Sequence, residues 1–227
     1  MILDIHSHII PGIDDGSPNM DVSLDMIKSS VEQGVTDIIA TPHYYFGKYI
    51  SDVSTVKQKF NELKEAVKAH NINVNLYLGQ EIYVSNFETV ISMLKNKELL
   101  TMNNSDVLLI EFNPLMKPEL FDDVVYNFSV NNYKVVIAHV ERYPWMKLDD
   151  VKYLKNEGAF IQINSNSLLN HHADRSEYVL AKKALKLGLV DYIASDMHSF
   201  RRSHLGEAYK KYCKHYKNIN DPSLFNL

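Results

Sequence analysis

Two histidines stand two residues apart near the start of the chain, at the end of a hydrophobic segment. Side chains at positions i and i+2 of a strand point to the same side, so His6 and His8 can bind one cation together. Metal-binding residue types then recur at or just after the ends of further apolar segments. The candidate metal ligands are His6, His8, Asp15, His43, Glu81, Glu111, His139, Asp196 and His198.

These ligand types predict a particular chemistry. Imidazole nitrogens and carboxylate oxygens together suit manganese, iron or zinc. The set is too large for one ion, so the sequence predicts two or three divalent metal ions, with Glu81 or Glu111 as the bridging carboxylate. Two ions about 4 Å apart can activate a water molecule and neutralise a phosphoryl group. Arg142 and the pair Arg201-Arg202 closely follow candidate ligands and are placed to bind phosphate oxygens.

Each of these residues also has a purely structural interpretation. Glu81 and Glu111 could be buried carboxylates paired with Arg142 or a lysine, His139 a hydrogen-bonded core histidine, and Asp15 a turn cap. The metal site would be ruled out only if all of these structural interpretations were correct at once. Several other polar residues are interpreted differently: Asp14 is set aside as a ligand, Asn164 and Asn166 orient substrate or cap a strand end, and His171-His172 and His204 belong to the solvated surface.

Other hydrolytic and nucleotide-binding chemistries lack their motifs. A cysteine-based phosphatase needs an arginine six residues after the cysteine, whereas Cys213 is followed there by Ile219. The chain has neither a glycine-rich phosphate loop nor a Gly-x-Ser-x-Gly elbow. A metal-activated water is the chemistry that remains.

Seven apolar segments alternate with helical patterns and would have to position these residues. The predicted strands cover 2–6, 37–41, 74–78, 106–111, 134–140, 159–163 and 190–195. Ser17 is the predicted cap of the first helix, and the last helix is predicted over about 205–217. Alternation of this kind predicts an α/β fold with a parallel sheet, closed into a single-domain distorted (β/α)7 barrel or open and doubly wound. In either fold, functional residues lie at the carboxyl ends of the strands.

Composition sets the protein class. The 227 residues are 45% hydrophobic and 23% charged, with a net charge of −4. These values are typical of one globular domain and argue against nucleic acid as a partner. The chain has no apolar run long enough to cross a membrane, no signal-peptide pattern and only one cysteine, which together predict a cytoplasmic protein without membrane insertion.

Six motifs, spread from residue 2 to about residue 205, identify a likeness to a known family. They are Asp4-Ile5-His6-Ser7-His8 followed by Pro11-Gly12-Ile13-Asp14-Asp15-Gly16, Ala40-Thr41-Pro42-His43, Gly79-Gln80-Glu81, Ile110-Glu111-Phe112, Ala138-His139-Val140-Glu141-Arg142-Tyr143, and Ser195-Asp196-Met197-His198. With these motifs the sequence resembles the polymerase-and-histidinol-phosphatase (PHP) superfamily. Within it, the sequence resembles the bacterial manganese-dependent protein-tyrosine phosphatases of capsule and exopolysaccharide loci.

The resemblance implies a fold and roles for individual residues. It implies one PHP domain over residues 1–227, built as a distorted barrel of seven β/α units. By likeness, the first metal would be held by His6, His8, Glu81 and Asp196, the second by Glu81, Glu111 and His139, and the third by Asp15, His43 and His198. Arg142 would bind phosphate together with a second arginine, for which Arg202 is favoured over Arg201.

The resemblance also implies an activity and a partner. The activity would be that of a protein-tyrosine phosphatase (EC 3.1.3.48), most often with Mn²⁺. The substrate would be the tyrosine-rich C-terminal tail of an autophosphorylated bacterial tyrosine kinase that controls polysaccharide synthesis. Two alternatives stay open: a small-molecule phosphatase of the histidinol-phosphate type, and a non-catalytic, metal-stabilised protein that binds the kinase.

Overall fold

The computed structural model describes residues 2–119, 121–171, 173–213, 216 and 219–227. The strands are β1 (Leu3–Ser7), β2 (Asp37–Ala40), β3 (His43–Tyr44), β4 (Asn75–Leu78), β5 (Glu81–Tyr83), β6 (Val107–Glu111), β7 (Lys134–Ile137), β8 (Phe160–Asn164) and β9 (Tyr192–Ala194). The α-helices are α1 (Met20–Glu32), α2 (Val53–Ala69), α3 (Phe87–Lys95), α4 (Val124–Ser129), α5 (Leu148–Asn156), α6 (Ser165–Leu169), α7 (Arg175–Lys186) and α8 (Leu205–Ala208). Short 3-10 turns span Met102–Asn104, Phe121–Asp123, Val140–Arg142 and Pro222–Phe225, and a π-helical turn spans Tyr209–Cys213.

All strand pairs in the described chain are parallel, and they form a curled sheet. β2 and β3 are two halves of one strand, as are β4 and β5, so the segments amount to the seven predicted strands. β1 also meets the end of β9: Ser7 bridges Met197, the Asp196 N–H donates to the His6 carbonyl at 2.9 Å, and the His8 N–H donates to the Met197 carbonyl at 3.0 Å. The predicted α/β barrel is therefore confirmed, and the open doubly wound alternative does not fit.

The barrel is distorted on one side. β6 pairs with β5, whereas β4 pairs only with β2 among the described strands. The buried side chain of Met102 fills the space beside β4, and Gly79 leaves room for it: a Cβ at position 79 would lie 2.6 Å from the Met102 sulfur. The turn that carries Met102 contacts both β4 and β6, so it lies where these two strands do not pair.

Two apolar layers hold the fold together. The larger one lies between the sheet and the surrounding helices, and the smaller one fills the barrel interior. The interior layer consists of Leu3, Ile5, Ile39, Met102, Val107, Leu109, Val136, Ala138, Tyr192, Ala194 and Phe225. Burying one such large apolar side chain contributes roughly 1.5–3 kcal/mol. This layer closes the barrel beneath the positions where the strands end.

Two helix boundaries differ from the prediction. Asn19, not Ser17, caps α1, since its side chain accepts a hydrogen bond from the Val22 N–H. Ser17 is instead tied into the loop after β1, with its N–H donating to the His8 carbonyl at 3.0 Å. The last predicted helix is α-helical only over Leu205–Ala208 before the π-helical turn, and residues 214, 215, 217 and 218 of that prediction lie outside the described residues. None of the helices among the described residues is both long and apolar enough to cross a membrane.

Candidate metal centre

Strand alternation places the ligands directly above the apolar interior. In β6, Val107 and Leu109 belong to the interior layer, and Glu111 is the next side chain on the same face. In β9 and the residue pair after it, Tyr192 and Ala194 precede Asp196 in the same way. Along one face of each of these strands, the earlier residues therefore belong to the apolar core and the last residue belongs to the polar centre.

Two ligands reach the centre by local breaks in this alternation. The pairing of β1 with β2 shifts register between Asp4 and Ser7, as in a β-bulge, so that His6 joins the centre although Ile5 already points inward. His139 follows the interior residue Ala138 with a left-handed backbone at φ 32°. Non-glycine residues in this region are strained and cluster at functional sites.

Glu81 is the middle of the centre. Its carboxylate is fully buried, and its Oε2 lies 3.0 Å from His6 Nε2, 3.2 Å from His8 Nε2 and 3.0 Å from His43 Nδ1. Its Oε1 lies 2.9 Å from His139 Nε2. Four imidazoles thus surround one carboxylate, which gives Glu81 the position of a bridging ligand.

The hydrogen bonds of His6 and His8 test whether this arrangement suits a metal. Gln162 Oε1 already accepts from the His139 backbone N–H, so it is an acceptor for His6 Nδ1 at 3.2 Å. Asp14 Oδ2 lies 2.7 Å from His8 Nδ1. Both Nδ1 atoms therefore carry protons, and in the neutral rings both Nε2 atoms carry lone pairs, although they face each other at 3.1 Å. Two lone pairs at this distance repel unless a cation lies between them, so the residues fit a metal ion.

The remaining predicted ligands join the same cluster. His43 Nδ1 lies 3.2 Å from Glu111 Oε1, and Asp15 Oδ1 lies 3.4 Å from His198 Nε2. Their ligand atoms form three groups in which all atoms lie close to one another. The groups are His8, Asp15, His43 and His198; His6, His8 and Glu81; and His43, Glu81 and Glu111. The structure thus brings all nine candidate residues together, in overlapping groups that exceed the needs of a single ion.

The charges of these groups shift one another's pKa values. Burial disfavours the charged form of His6, but the nearby Glu81 carboxylate raises the pKa of His6 to about 9. Burial likewise opposes the charge on His8, but Asp14 raises the pKa of His8 to about 10. Burial also opposes the ionisation of Glu81, yet His6 and His43 hold its pKa well below the usual range. The centre therefore keeps its carboxylates charged, and protons compete with metal ions for the imidazoles.

Asp196 connects the ligands to two arginines. Its Oδ1 lies 3.6 Å from His8 Nε2 and 3.7 Å from His6 Nε2, while its Oδ2 accepts hydrogen bonds of 2.7 Å from both Arg142 and Arg201. Arg202 does not line the cavity at the ligands, although it lines a neighbouring one together with Arg201. Its exposed side chain lines a separate groove beside α1 with Val22 and Asp25. Arg201, not the favoured Arg202, lines the cavity at the ligands, because the tight turn after His198, closed by the Arg201 N–H donating to the His198 carbonyl, turns Arg201 back to it. Which of the two arginines binds phosphate stays a prediction.

A buried chain of amides links the ligands and was not recognised as a whole in the sequence. Gln162 Nε2 donates to Asn164 Oδ1 at 2.8 Å, and Asn164 Nδ2 donates to Asp196 Oδ2 at 2.8 Å. β8 carries no charged ligand, and Gln162 and Asn164 take the interior positions that carry ligands in other strands. A glutamine between two isoleucines in an apolar strand was the signal for this role.

Asp14 makes hydrogen bonds to the residues around the candidate ligands. Its Oδ2 accepts from the His43 backbone N–H at 2.9 Å in addition to its contact with His8, and its Oδ1 accepts from the Gly16 N–H at 3.0 Å. The carboxylate thus orients one imidazole ring and fixes the loop that carries Asp15. Orientation of a metal-binding histidine by a carboxylate is common in metal sites.

An open cavity of about 260 Å³ leads to the centre. Its walls include aromatic rings and basic side chains as well as ligands. The residues other than ligands are Tyr45, Lys48, Tyr49, Tyr83, Pro114, Arg142, Phe200 and Arg201. Tyr49 stacks on His43 with ring centroids 5.4 Å apart, and Phe200 is 69% exposed beside His198. The cavity can therefore hold an anionic group at its base and an aromatic group at its mouth.

Solved structures support the fold. The chain superposes with a TM-score of 0.87 on a structure from a study of YwqE from Bacillus subtilis and CpsB from Streptococcus pneumoniae, described as unique metal-dependent tyrosine phosphatases. The identity is 27%, and the match covers 99% of this chain and 91% of that one. A histidinol phosphate phosphatase from Lactococcus lactis, complexed with zinc, L-histidinol and phosphate, shares the fold at a TM-score of 0.61 and 14% identity, over 93% of this chain and 92% of that one.

Sequence relatives agree with this likeness. The putative tyrosine-protein phosphatase CapC of Staphylococcus aureus is 36% identical over 200 residues, which cover 87% of this chain and 77% of the relative. The tyrosine-protein phosphatase CpsB of Streptococcus agalactiae is 30% identical over 232 residues, which cover 99% and 95%. A family model described as capsular polysaccharide synthesis, CpsB/CapC, matches residues 2–225. The chain therefore belongs to the CpsB/CapC family of capsular polysaccharide synthesis.

Proposed function

We propose that this chain is a metal-dependent protein-tyrosine phosphatase that acts on the phosphotyrosines of a bacterial tyrosine kinase and thereby regulates capsular or exopolysaccharide synthesis. The observation that carries this proposal is the buried cluster around Glu81, which opens into a cavity with Arg142 and Arg201 on its wall. The names of the relatives, tyrosine-protein phosphatase CapC and CpsB, point to the same activity.

In this proposal one set of residues binds the metal ions and a second set binds the substrate. Two or three divalent ions would be held by the nine ligands, and when bound they supply a nucleophile from water at neutral pH and offset the charge of a phosphoryl group. Arg142 and Arg201 each use one Nη1 on Asp196, and each guanidinium keeps further N–H groups for phosphate oxygens. Asp196 thus sets the spacing of the two cationic groups beside the ligands.

The shape of the cavity favours phosphotyrosine over a small substrate. Tyr45 and Tyr83 stack with ring centroids 4.0 Å apart, and Tyr49 and Phe200 line the same cavity. Offset or edge contacts between aromatic rings contribute about 0.5–1.5 kcal/mol beyond simple burial, so these rings suit a phenyl phosphate presented by an extended peptide. The small-molecule alternative requires a narrow, enclosed pocket with a carboxylate for the substrate amine.

The metal, the partner and the location form the finer part of the proposal. Mn²⁺ suits a set of five imidazoles and four carboxylates without cysteine, although iron and zinc accept the same ligands. An autophosphorylated kinase with a tyrosine-rich tail suits the open cavity. We place the protein in the cytoplasm, recruited to a membrane-associated kinase complex, as one domain over residues 1–227.

The experiment that tests the proposal measures phosphate release from three substrates after chelation and re-addition of Mn²⁺. The substrates are a phosphotyrosine peptide, a phosphoserine peptide and histidinol phosphate. We expect turnover that depends on Mn²⁺ and is fastest with phosphotyrosine. Turnover mainly on histidinol phosphate would instead assign a small-molecule phosphatase.

Two variants control the metal dependence. His6→Ala and His139→Ala remove one ligand on each side of Glu81 and should lower turnover strongly while the circular dichroism spectrum stays unchanged. Full activity in both folded variants would refute the mechanism. Metal-dependent melting of the wild-type protein without turnover on any of the three substrates would support the non-catalytic, kinase-binding alternative.

A further inference from the structure

A second group of metal-binding side chains lies outside the centre described above. His171 follows α6, whereas His204 precedes α8 and Glu207 lies within it. Their ligand atoms all lie within 4.8 Å of one another, and none of the three belongs to the groups around Glu81. The fold thus brings His171 to an imidazole and a carboxylate that lie more than thirty residues later in the sequence.

The distances in this group are those of ligands around one ion. Glu207 Oε2 lies 3.4 Å from His171 Nε2 and 3.7 Å from His204 Nδ1, and the two rings are 4.5 Å apart between centroids. An N–H···O hydrogen bond usually measures 2.7–3.2 Å, so the contact of His171 with Glu207 is a long hydrogen bond and that of His204 exceeds hydrogen-bond length. Zinc bonds of about 2.1 Å in tetrahedral geometry separate neighbouring ligand atoms by about 3.4 Å. The spacing of these ligand atoms therefore fits a shared cation.

The ligand types and their exposure select the ion. Two histidines and one glutamate form a known zinc ligand set, with the fourth position left to water. The side chains of His171, His204 and Glu207 are 38%, 36% and 53% exposed, so an ion can enter and a water can complete the coordination. Imidazole ligands also bind zinc more tightly than manganese.

We propose that His171, His204 and Glu207 form an accessory zinc site. His171 also lines a small polar cavity of about 120 Å³ together with Arg142 and Arg201. An ion at this site therefore connects the α6–α7 loop to the start of α8 beside the two arginines. The site is independent of the proposed phosphatase activity, because it shares no ligand with the centre around Glu81.

The test counts the zinc ions retained per chain after equilibrium dialysis against micromolar zinc, measured by atomic absorption. His171→Ala, His204→Ala and Glu207→Gln should each retain about one zinc ion fewer than the wild-type protein. The matched control is His70→Ala, which removes another exposed histidine, at the end of α2, and should leave the count unchanged. Circular dichroism verifies that each variant is folded, and Glu207→Gln is the most conservative of the changes.

A double variant distinguishes zinc bound at the accessory site from zinc bound in the barrel centre. The His6→Ala/His139→Ala variant should lose zinc from the barrel centre and keep the ion bound by His171 and His204. Adding His204→Ala to that variant should then remove about one further ion. An equal zinc count in the wild-type protein and all three single variants would overturn the proposal, as would the same loss in His70→Ala.

Discussion

At the scale of single residues, Gln162 decides which nitrogen of His6 faces the centre. Its Oε1 accepts from the His139 backbone N–H and so can only accept from His6 Nδ1 as well. Its Nε2 donates to Asn164, which in turn donates to Asp196. One amide thus fixes the tautomer of one ligand, the backbone of a second and, through Asn164, the carboxylate of a third.

We expect Gln162→Leu to lower metal affinity or turnover about 10- to 100-fold, the usual effect of removing a partner that orients a metal ligand. The side chain is similar in size and fully buried, so packing changes little. Manganese titration followed by turnover on a phosphotyrosine peptide measures both effects. Unchanged affinity and turnover would show that the backbone alone orients His6 and His139.

Mutating Arg201 and Arg202 one at a time distinguishes the arginine that binds substrate from its neighbour of the same charge. Arg201→Ala should lower kcat/KM for a phosphotyrosine peptide by about 10²–10³, comparable to the loss of one preorganised charge-stabilising donor. Arg202→Ala serves as the matched control and should lower it less than tenfold, since Arg202 lines the groove beside α1. The reverse order of effects would return the phosphate-binding role to Arg202.

At the scale of elements, the loop after β1 is fixed by close backbone contact. A Cβ at Gly16 would lie 2.1 Å from the His8 carbonyl oxygen and 2.3 Å from the His8 Cβ. The same carbonyl accepts the Ser17 N–H at 3.0 Å. The loop therefore lies directly against the strand that carries two ligands, and its neighbour Asp15 is positioned by that contact.

Gly16→Ala should destabilise the metal-free protein by about 1–3 kcal/mol or more, as overpacking does, and should also weaken manganese binding. The matched control is Gly47→Ala, where φ is +84° and nothing lies within 4 Å of the new Cβ. That variant should lose only about 1 kcal/mol through backbone strain. Urea unfolding and a manganese titration measure the two effects, and equal losses in both variants would contradict the role assigned to close contact.

At the scale of the whole molecule, protons and metal ions compete for one end of the barrel. The pKa values of His6 and His8 are about 9 and about 10 in the metal-free chain, above the ordinary value of 6.5. Raised values mean that the protonated histidines stabilise the metal-free fold fully below pH 6.5, and that this contribution is lost as pH rises through 9 and 10. Metal binding has the opposite dependence, because it needs the deprotonated rings.

We therefore expect manganese affinity to increase between about pH 7 and pH 9, with release of at least one proton per chain. Calorimetric titrations in two buffers of different ionisation enthalpy count the protons released. His8→Ala should release fewer protons than the wild-type protein. A pH-independent affinity would mean that these rings are already deprotonated before metal binding.

The sequence by itself determined the strands, the fold class and the set of candidate ligands that the fold brings together. Apolar segments that each end in a histidine or a carboxylate have to bring those ends together, since parallel strands in a barrel share one carboxyl end. Residue spacing alone therefore predicted all nine members of the cluster, from His6 to His198. The exclusion of Asp14 as a ligand stays a prediction, and in the structure its carboxylate contacts His8 and the His43 backbone N–H.

Only the tertiary structure decided which neighbouring residues face the centre. The β1 bulge, the left-handed backbone of His139 and the turn that selects Arg201 over Arg202 each depend on contacts between distant strands and loops. The role of Gln162 and the group of His171, His204 and Glu207 likewise depend on side chains that meet only after folding. The local sequence determines the alternation of inward and outward side chains along a strand. A one-residue shift in that alternation depends on pairing with the partner strand.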